Sequence, residues 1–540
     1  MLWRIAYCLL IAAGPAAMLA GSAITWDSAV ARLVFSAAAL AVPAILLPLG
    51  AYLYLLLPVA LAGYGFAGYQ LVFNKAPTAD ALFAVLQTNI IELNEMSSAF
   101  GLKGVVAVIA ALLLVYVLVA WRIRAKLGLK AVVAVLPALV LFPSYSTELI
   151  NSYPVGVLAY VAAAGPTAWQ TVRGETAPKR AYGAKPLHRS DEVHVLVIGE
   201  SMRYDALHLN GYHRETTPNL DKLDLVSFSE SWGSANLTQL AVPMVLSGFA
   251  PEEYGVDRLH GSILDAAKEA GFRTAFLGNQ HPMMVRPVSP GPDKLFFTLD
   301  VSDRLADVWM QKDEKLLPHF KDFVQQPGPL FIVVHLNGSH FDYFRRYPDA
   351  FAKWEVPQAV RDATFFNGGN TREFDQGMRN GYDNSILYTD WVLQQIVEQL
   401  KASGRPTTLT LTSDHAEAFS TTDGKRGHGT IRAVAGELHV PLLIWFSESY
   451  RRQHPDIVAA VKANAGRRHT NDVVFHTIAD LAGISFPEHK PDRSLATREF
   501  KERPLTFLLE NEWHTCADVS GCSLHALASA KAARAALDDF

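Results

Sequence analysis

Cysteine is scarce: the 540 residues hold three, Cys8, Cys516 and Cys522. Three cysteines rule out a disulfide framework and a four-cysteine zinc site. Charge is scarce too, at 19% of residues with a net charge of −4. No basic domain and no recognition motif is present, which excludes nucleic acid as a partner. The chain also lacks internal repeats and low-complexity tracts. What remains is apolar, with 50% hydrophobic residues and a mean hydropathy of +0.13, high for a soluble enzyme. The shortage of charge is local: residues 1–150 carry 13 of the 100 charged side chains. The first part reads as membrane-like and the remainder as globular, and a chain of this length implies two or more domains.

A helical span needs roughly 17–25 apolar residues. Uncharged stretches at 5–26, 33–74, 104–121 and 131–147 supply five spans, the second stretch being long enough for two with a turn near Pro48-Leu49-Gly50. A cleaved signal peptide is the competing reading of the first span. Arg122, Arg124, Lys126 and Lys130 mark the loop between spans four and five as cytoplasmic, so the chain beyond about residue 148 lies outside. The loop between spans three and four falls on that same side. Its segment Ala81-Leu82-Phe83-Ala84-Val85-Leu86-Gln87-Thr88-Asn89-Ile90-Ile91-Glu92 predicts an interfacial amphipathic helix over about 78–98, against a plain connector. Cys8 sits inside the first span. Cys516 and Cys522 lie in a polar segment outside the membrane, where oxidation is favoured; a disulfide is expected, and a zinc pair is the competing reading.

Residues 151–190, with Pro154, Gly156, Gly165-Pro166 and a run of basic residues, predict a solvated bridge. From about Asp191 strand-like runs at 193–198, 272–277, 330–336, 407–412 and 440–446 alternate with helices at 262–270 and 383–402. That alternation argues an α/β fold around a mostly parallel sheet flanked by helices. Two of the strands end in acidic metal-ligand chemistry: 193–198 runs into Gly199-Glu200, and 407–412 into Ser413-Asp414-His415. Ligand groups gather at such strand ends in α/β sheets. The mixture of carboxylate and imidazole suits zinc better than magnesium or calcium. A surface turn with an incidental Asp-His pair is the plain alternative.

Between these strands lies Gly233-Ser234-Ala235-Asn236-Leu237-Thr238-Gln239-Leu240-Ala241-Val242-Pro243, with Thr238 five residues before the proline. With this segment the sequence resembles the phosphoethanolamine transferases of the alkaline-phosphatase/sulfatase superfamily, the group of the lipid A modifying and mobile colistin-resistance enzymes. Asn210-Gly211-Tyr212-His213-Arg214-Glu215-Thr216-Thr217-Pro218-Asn219-Leu220, Gly338-Ser339-His340, Tyr382-Asp383-Asn384-Ser385 and Gly427-His428-Gly429 follow in the family's order. The five spans agree as well. The resemblance implies a bacterial inner-membrane, multi-pass protein with its alkaline-phosphatase/sulfatase-like catalytic domain, residues 191–540, in the periplasm.

It also implies roles. Thr238 would be the nucleophile, and Glu200, Thr238, Asp414 and His415 would hold one tightly bound zinc ion, a second ion being left open. His340 and His428 would contact phosphate or carry protons, and Thr88 and Glu92 would meet the donor headgroup. The donor would be phosphatidylethanolamine and the acceptor an envelope glycolipid or glycan, lipid A or a core sugar first. Two departures stand out. Many relatives bracket the nucleophile with paired cysteines where this chain has Ser234 and Met244, and Ala84 replaces an asparagine four residues before Thr88. The alternatives on the same scaffold are a glycerol-phosphate transferase and a phosphodiesterase or sulfatase-type hydrolase. The residues from Thr238 do not match the Cys/Ser-x-Pro-x-Arg run of sulfatases.

Overall fold

The computed structural model describes residues 181–188, 191–254, 261–280, 291–298, 311–362, 371–424, 426–429, 433–509 and 512–515, with positions 110, 111 and 114. The chain divides into two compact units, and the fold below belongs to the one that holds residues 171–540. No helix among the described residues is long and apolar enough to cross a membrane. The five expected spans apart from positions 110, 111 and 114 of the fourth, the 78–98 helix with Thr88 and Glu92, and the Cys516–Cys522 pair lie outside the described residues.

Seven strands form the central sheet: β1 (Val193–Gly199), β2 (Leu225–Ser227), β3 (Arg273–Gly278), β4 (Lys294–Phe297), β5 (Leu330–His335), β6 (Thr407–Ser413) and β7 (Leu442–Phe446). Their order is β2-β7-β6-β1-β5-β3-β4. All pairings from β6 to β4 are parallel, whereas β7 runs antiparallel to both β6 and β2. The expected mostly parallel sheet is therefore found. Strand β1 is buried along its whole length, as are β5, β6 and β7. A strand buried on both faces reads as a largely apolar run, which is why β1, β5 and β7 were legible, whereas β6 was legible from threonines that alternate with leucines.

Six helices matter for the site: α1 (Thr238–Ser247), α2 (Ile263–Glu269), α3 (Leu317–Val324), α4 (Arg372–Ala402), α5 (Pro455–Ala463) and α6 (Val473–Leu481). Alternating strand residues Leu196, Ile198, Phe331, Val333, Ile444 and Phe446 share one core with Val242 and Val245 of α1, Leu264 of α2 and Phe475 and Ile478 of α6. Burying each such side chain contributes about 1.5–3 kcal/mol, so this layer anchors α1 against the sheet.

Two expectations change. Helix α4 begins at Arg372, eleven residues before the expected start at 383. Thr371 caps it by accepting from the Phe374 N–H at 3.2 Å, and Glu373 and Asp375 favour its first turn. Gly377 hid the pattern. A Cβ there would lie 2.6 Å from Val360, so the glycine serves close packing. The end of the 151–190 bridge is solvated at most positions, as expected, but is also docked. Tyr182 is buried in the core, Tyr182 and Ala184 donate their N–H groups to the Glu269 carboxylate, and Lys185–Pro186 pairs with Ile484–Ser485. Two apolar positions among the basic ones are enough to dock this segment.

His469 sits in a short strand paired with Ser231–Trp232 and donates from Nδ1 to the Arg467 carbonyl at 2.8 Å. Burial pushes its pKa down to about 4. An unfolded chain takes up this proton below about pH 6.5, while the folded one does not until about pH 4. Stability should fall across that window by about 1.4 kcal/mol per pH unit from this group and be whole above it. Urea midpoints between pH 7 and 5 should show a slope one proton shallower in His469→Gln.

Candidate metal centre

Register brings the site together. Ile198 of β1 pairs with His335 of β5, Gly278 of β3 also pairs with His335, and Gly199 pairs with Ser413 of β6. Four parallel strands thus end level, and the residues that follow them, Glu200, Asn279-Gln280, Gly338-Ser339-His340 and Asp414-His415, meet at one edge. Helix α1 delivers Thr238 as its first residue, against the core described above. Leu237 precedes it and offers no side-chain cap.

The distances are short. The Thr238 hydroxyl donates to Glu200 Oε2 at 3.1 Å and lies 3.2 Å from His415 Nε2. His415 Nε2 is 3.5 Å from Glu200 Oε1 and 3.4 Å from Asp414 Oδ2. Glu200, Asp414 and His415 are all fully buried, and Thr238 is 7% exposed. His415 Nδ1 donates to the Ala416 carbonyl at 3.0 Å, which turns the Nε2 lone pair toward the carboxylates. Burial lowers the His415 pKa and keeps that imidazole neutral. Burial, and then the Asp414 charge beside it, push the Glu200 pKa well above the usual carboxylate range. Burial acts on Asp414 in the same direction, but His415 and its backbone N–H outweigh it and hold this carboxylate down.

The donor set fits a cation. Asp414 Oδ2 is buried without a hydrogen-bond partner while Oδ1 accepts from the N–H groups of Ser201 and His415 at 3.2 and 2.7 Å. One oxygen is therefore oriented and the other left for a ligand. Two buried carboxylates facing a neutral imidazole are costly until a positive charge joins them. One nitrogen and several oxygens at this spacing suit zinc.

The described domain matches the family model described as Sulfatase over residues 193–484, more than half of the chain. The chain belongs to the sulfatase family. Within it, the chain is similar to the phosphoethanolamine transferase EptC of Escherichia coli K12, 29% identical over 328 residues that cover 57% of this chain and 54% of the relative. The match thus spans about half the length of that curated relative. Among solved structures, the C-terminal periplasmic domain of EptC from Escherichia coli in complex with zinc superposes with a TM-score of 0.53 at 26% identity, covering 63% of this chain and 96% of that one. The integral membrane lipooligosaccharide phosphoethanolamine transferase EptA from Neisseria meningitidis shares the fold, with a TM-score of 0.66 at 21% identity over 90% of this chain and 98% of that one.

Of the expected site residues of this sulfatase-family domain, Glu200, Thr238, Asp414 and His415 meet as described. The His428 ring lies 4.1 Å from that of His415, between Gly427 and Gly429, both at positive φ. Burial opposes its charge, yet the Glu417 carboxylate 3.2 Å from Nδ1 raises its pKa. His340 follows β5, with Nδ1 2.6 Å from the Phe341 carbonyl. Burial, and then the Arg346 guanidinium, push it down to about 3. Gly338 earns its place here: its φ is +46°, and a Cβ would lie 3.0 Å from the Glu200 backbone nitrogen.

Several residues escaped the sequence reading. Gln280 Nε2 donates to Glu200 Oε2 at 3.0 Å; only its place just past a strand hinted at this. Ser201, at φ 56°, gives its hydroxyl to Glu200 Oε1 at 2.7 Å and its N–H to Asp414, so one left-handed residue orients both carboxylates. Asp313 receives Asn279 Nδ2 and the N–H groups of Asn337 and Gly338 at 2.7 to 3.0 Å, fixing the His340 loop.

Asn471 explains the missing cysteines. Its Oδ1 accepts from the Ser234 N–H and hydroxyl at 2.9 and 2.7 Å, and its Nδ2 donates to the carbonyls of Ser413 and Asp414 at 2.9 and 3.2 Å. Met244 packs with Ala235, Leu240, Ala241 and Leu508. Hydrogen bonds and packing thus hold the Thr238 segment to the Asp414-His415 loop. Asn471→Leu should cost about 3 kcal/mol by leaving buried groups unpaired. It should also lower kcat more than KM. A variant that melts lower but turns over unchanged would deny it the positioning part.

Proposed function

We propose that this chain is a membrane-anchored, zinc-dependent phosphoethanolamine transferase, acting from the periplasmic face of a bacterial inner membrane. The observation that carries the reading is the Thr238 hydroxyl, buried between Glu200 and His415 at the uncapped start of α1. A zinc ion held by Glu200, Asp414, His415 and the Thr238 oxygen would supply the positive charge that favours the deprotonated hydroxyl. Thr238 Oγ attacks the phosphorus of phosphatidylethanolamine, forming one P–O bond as the P–O bond to diacylglycerol breaks. The diacylglycerol oxygen leaves with a proton from His428, whose Nδ1 is held by Glu417 and whose Nε2 is left for this work. In the second step an acceptor hydroxyl or phosphate attacks the same phosphorus, its proton returns to His428, and Thr238 is released.

Charge on the phosphoryl oxygens in both steps meets His340, the Arg346 guanidinium behind it and the first N–H groups of α1. Thr88 and Glu92 are assigned to the ethanolamine headgroup. The acceptor is assigned to lipopolysaccharide, at lipid A or a core sugar, in keeping with the names of the relatives. Purified full-length protein given phosphatidylethanolamine labelled in its headgroup should pass the label to lipid A or core oligosaccharide. Release of free phosphoethanolamine with no labelled acceptor would make the chain a hydrolase and overturn the proposal.

A further inference from the structure

The opposite end of the sheet carries a second histidine-carboxylate cluster that the reaction does not use. Glu192 stands one residue before β1 and Glu200 one residue after it, so the two are roughly 25 Å apart along an extended strand. Glu192 is 1% exposed, a burial that an unpaired carboxylate rarely tolerates. His454 Nε2 lies 2.8 Å and His188 Nε2 3.7 Å from the same oxygen, Glu192 Oε1. The other oxygen, Oε2, is 3.1 Å from His194 Nε2, and His194 Nδ1 is 2.9 Å from the Thr408 hydroxyl. The carboxylate is thus clamped on one side by His194 and approached on the other by two imidazoles.

We infer that Glu192, His188 and His454 form a second metal site, of the zinc class, distinct from the catalytic centre. Their ligand atoms lie within 4.8 Å of one another. Tetrahedral zinc with bonds of about 2.0–2.2 Å sets neighbouring ligand atoms ~3.4 Å apart. The observed 2.8 and 3.7 Å straddle that spacing, so small side-chain rotations admit an ion. Two nitrogens and one oxygen leave one position for water. An ion pair accounts for His454, and His188, whose ring centroid lies 5.3 Å from that of His454, brings its Nε2 to the same oxygen.

The backbone makes room for this. Leu187 donates its N–H to the Gly483 carbonyl at 2.7 Å, and a Cβ on Gly483 would lie 2.5 Å from the His188 ring. His454 stands where the helix Glu448–Gln453 gives way to α5. An ion here fastens three segments: the chain entering the domain at 185–188, the start of β1, and this helix junction. Its role is therefore structural, a staple on the segment that leads into the catalytic domain.

The test uses full-length protein stripped by a chelator and dialysed against micromolar Zn2+. Wild type should retain one equivalent more than His188→Ala/His454→Ala, and Asp414→Ala should lose a separate equivalent. In the Asp414→Ala background Zn2+ should still raise the Tm, and adding His188→Ala should abolish that rise. His188 is exposed, so its removal leaves the fold intact. Equal zinc content with and without the two histidines, or a Tm in the Asp414→Ala protein that ignores Zn2+, overturns the inference. Neither result bears on the transferase reading, which is tested at Thr238.

Discussion

Thr238→Ala is expected to lower phosphoethanolamine transfer about 10⁴-fold or more, because the Ser201 hydroxyl, also at the centre, is fully buried and committed to Glu200 Oε1. Stability should change little. The hydroxyl gives one hydrogen bond to Glu200, worth about 1 kcal/mol, and the γ-methyl lost with it is one small apolar group. Thr238→Ser should retain measurable turnover, since it keeps the oxygen and loses only the methyl group that fixes its rotamer. Turnover with labelled phosphatidylethanolamine and a Tm for each variant separate the two effects. A Thr238→Ala protein that transfers at even a tenth of the wild-type rate would move the nucleophile elsewhere.

Asp414→Asn should abolish zinc retention at the catalytic centre and reduce transfer by about 10³-fold or more, while the metal-free protein becomes no less stable. The reason is electrostatic. Asparagine keeps an oxygen for the Ser201 and His415 N–H groups but removes one of two buried carboxylates that face each other without a counter-charge. The usual link between lost function and lost stability is then reversed, as expected where a site trades stability for chemistry. Chelation should silence the wild type, and Zn2+ should restore it but not the variant. A metal-free Asp414→Asn protein that melts well below metal-free wild type would show that the carboxylate serves the fold.

How far these residues were readable in advance depends on what surrounds them. Strands β1, β5 and β7 announce themselves because burial on both faces demands largely apolar runs, β6 because its threonines alternate with leucines, and Glu200 and Asp414 stand out because they follow such strands. The chemistry of α1 did not announce itself so directly. Thr238 carries no signal of its own and became visible through its distance from Pro243 and the resemblance that this spacing supports. Ser201, Gln280, Asp313 and Asn471 were invisible for another reason. Each acts across the fold, as Asn471 does on Ser234 some 237 positions away, and single polar residues have no periodicity to betray them. The edge strands β2 and β4 are short and partly exposed, so no apolar run marks them. His194 was passed over because a histidine within a core strand reads first as packing, and Glu192 and His454 because neither follows the end of a strand.

The covalent step is the centre of the account, and it can be trapped. Wild-type protein incubated with phosphatidylethanolamine and no acceptor, then quenched in acid and digested, should give a peptide containing Thr238 heavier by one phosphoethanolamine group. The adduct should disappear when acceptor is added before the quench. Transfer that proceeds with no adduct on Thr238, or with the adduct on another residue, would contradict it.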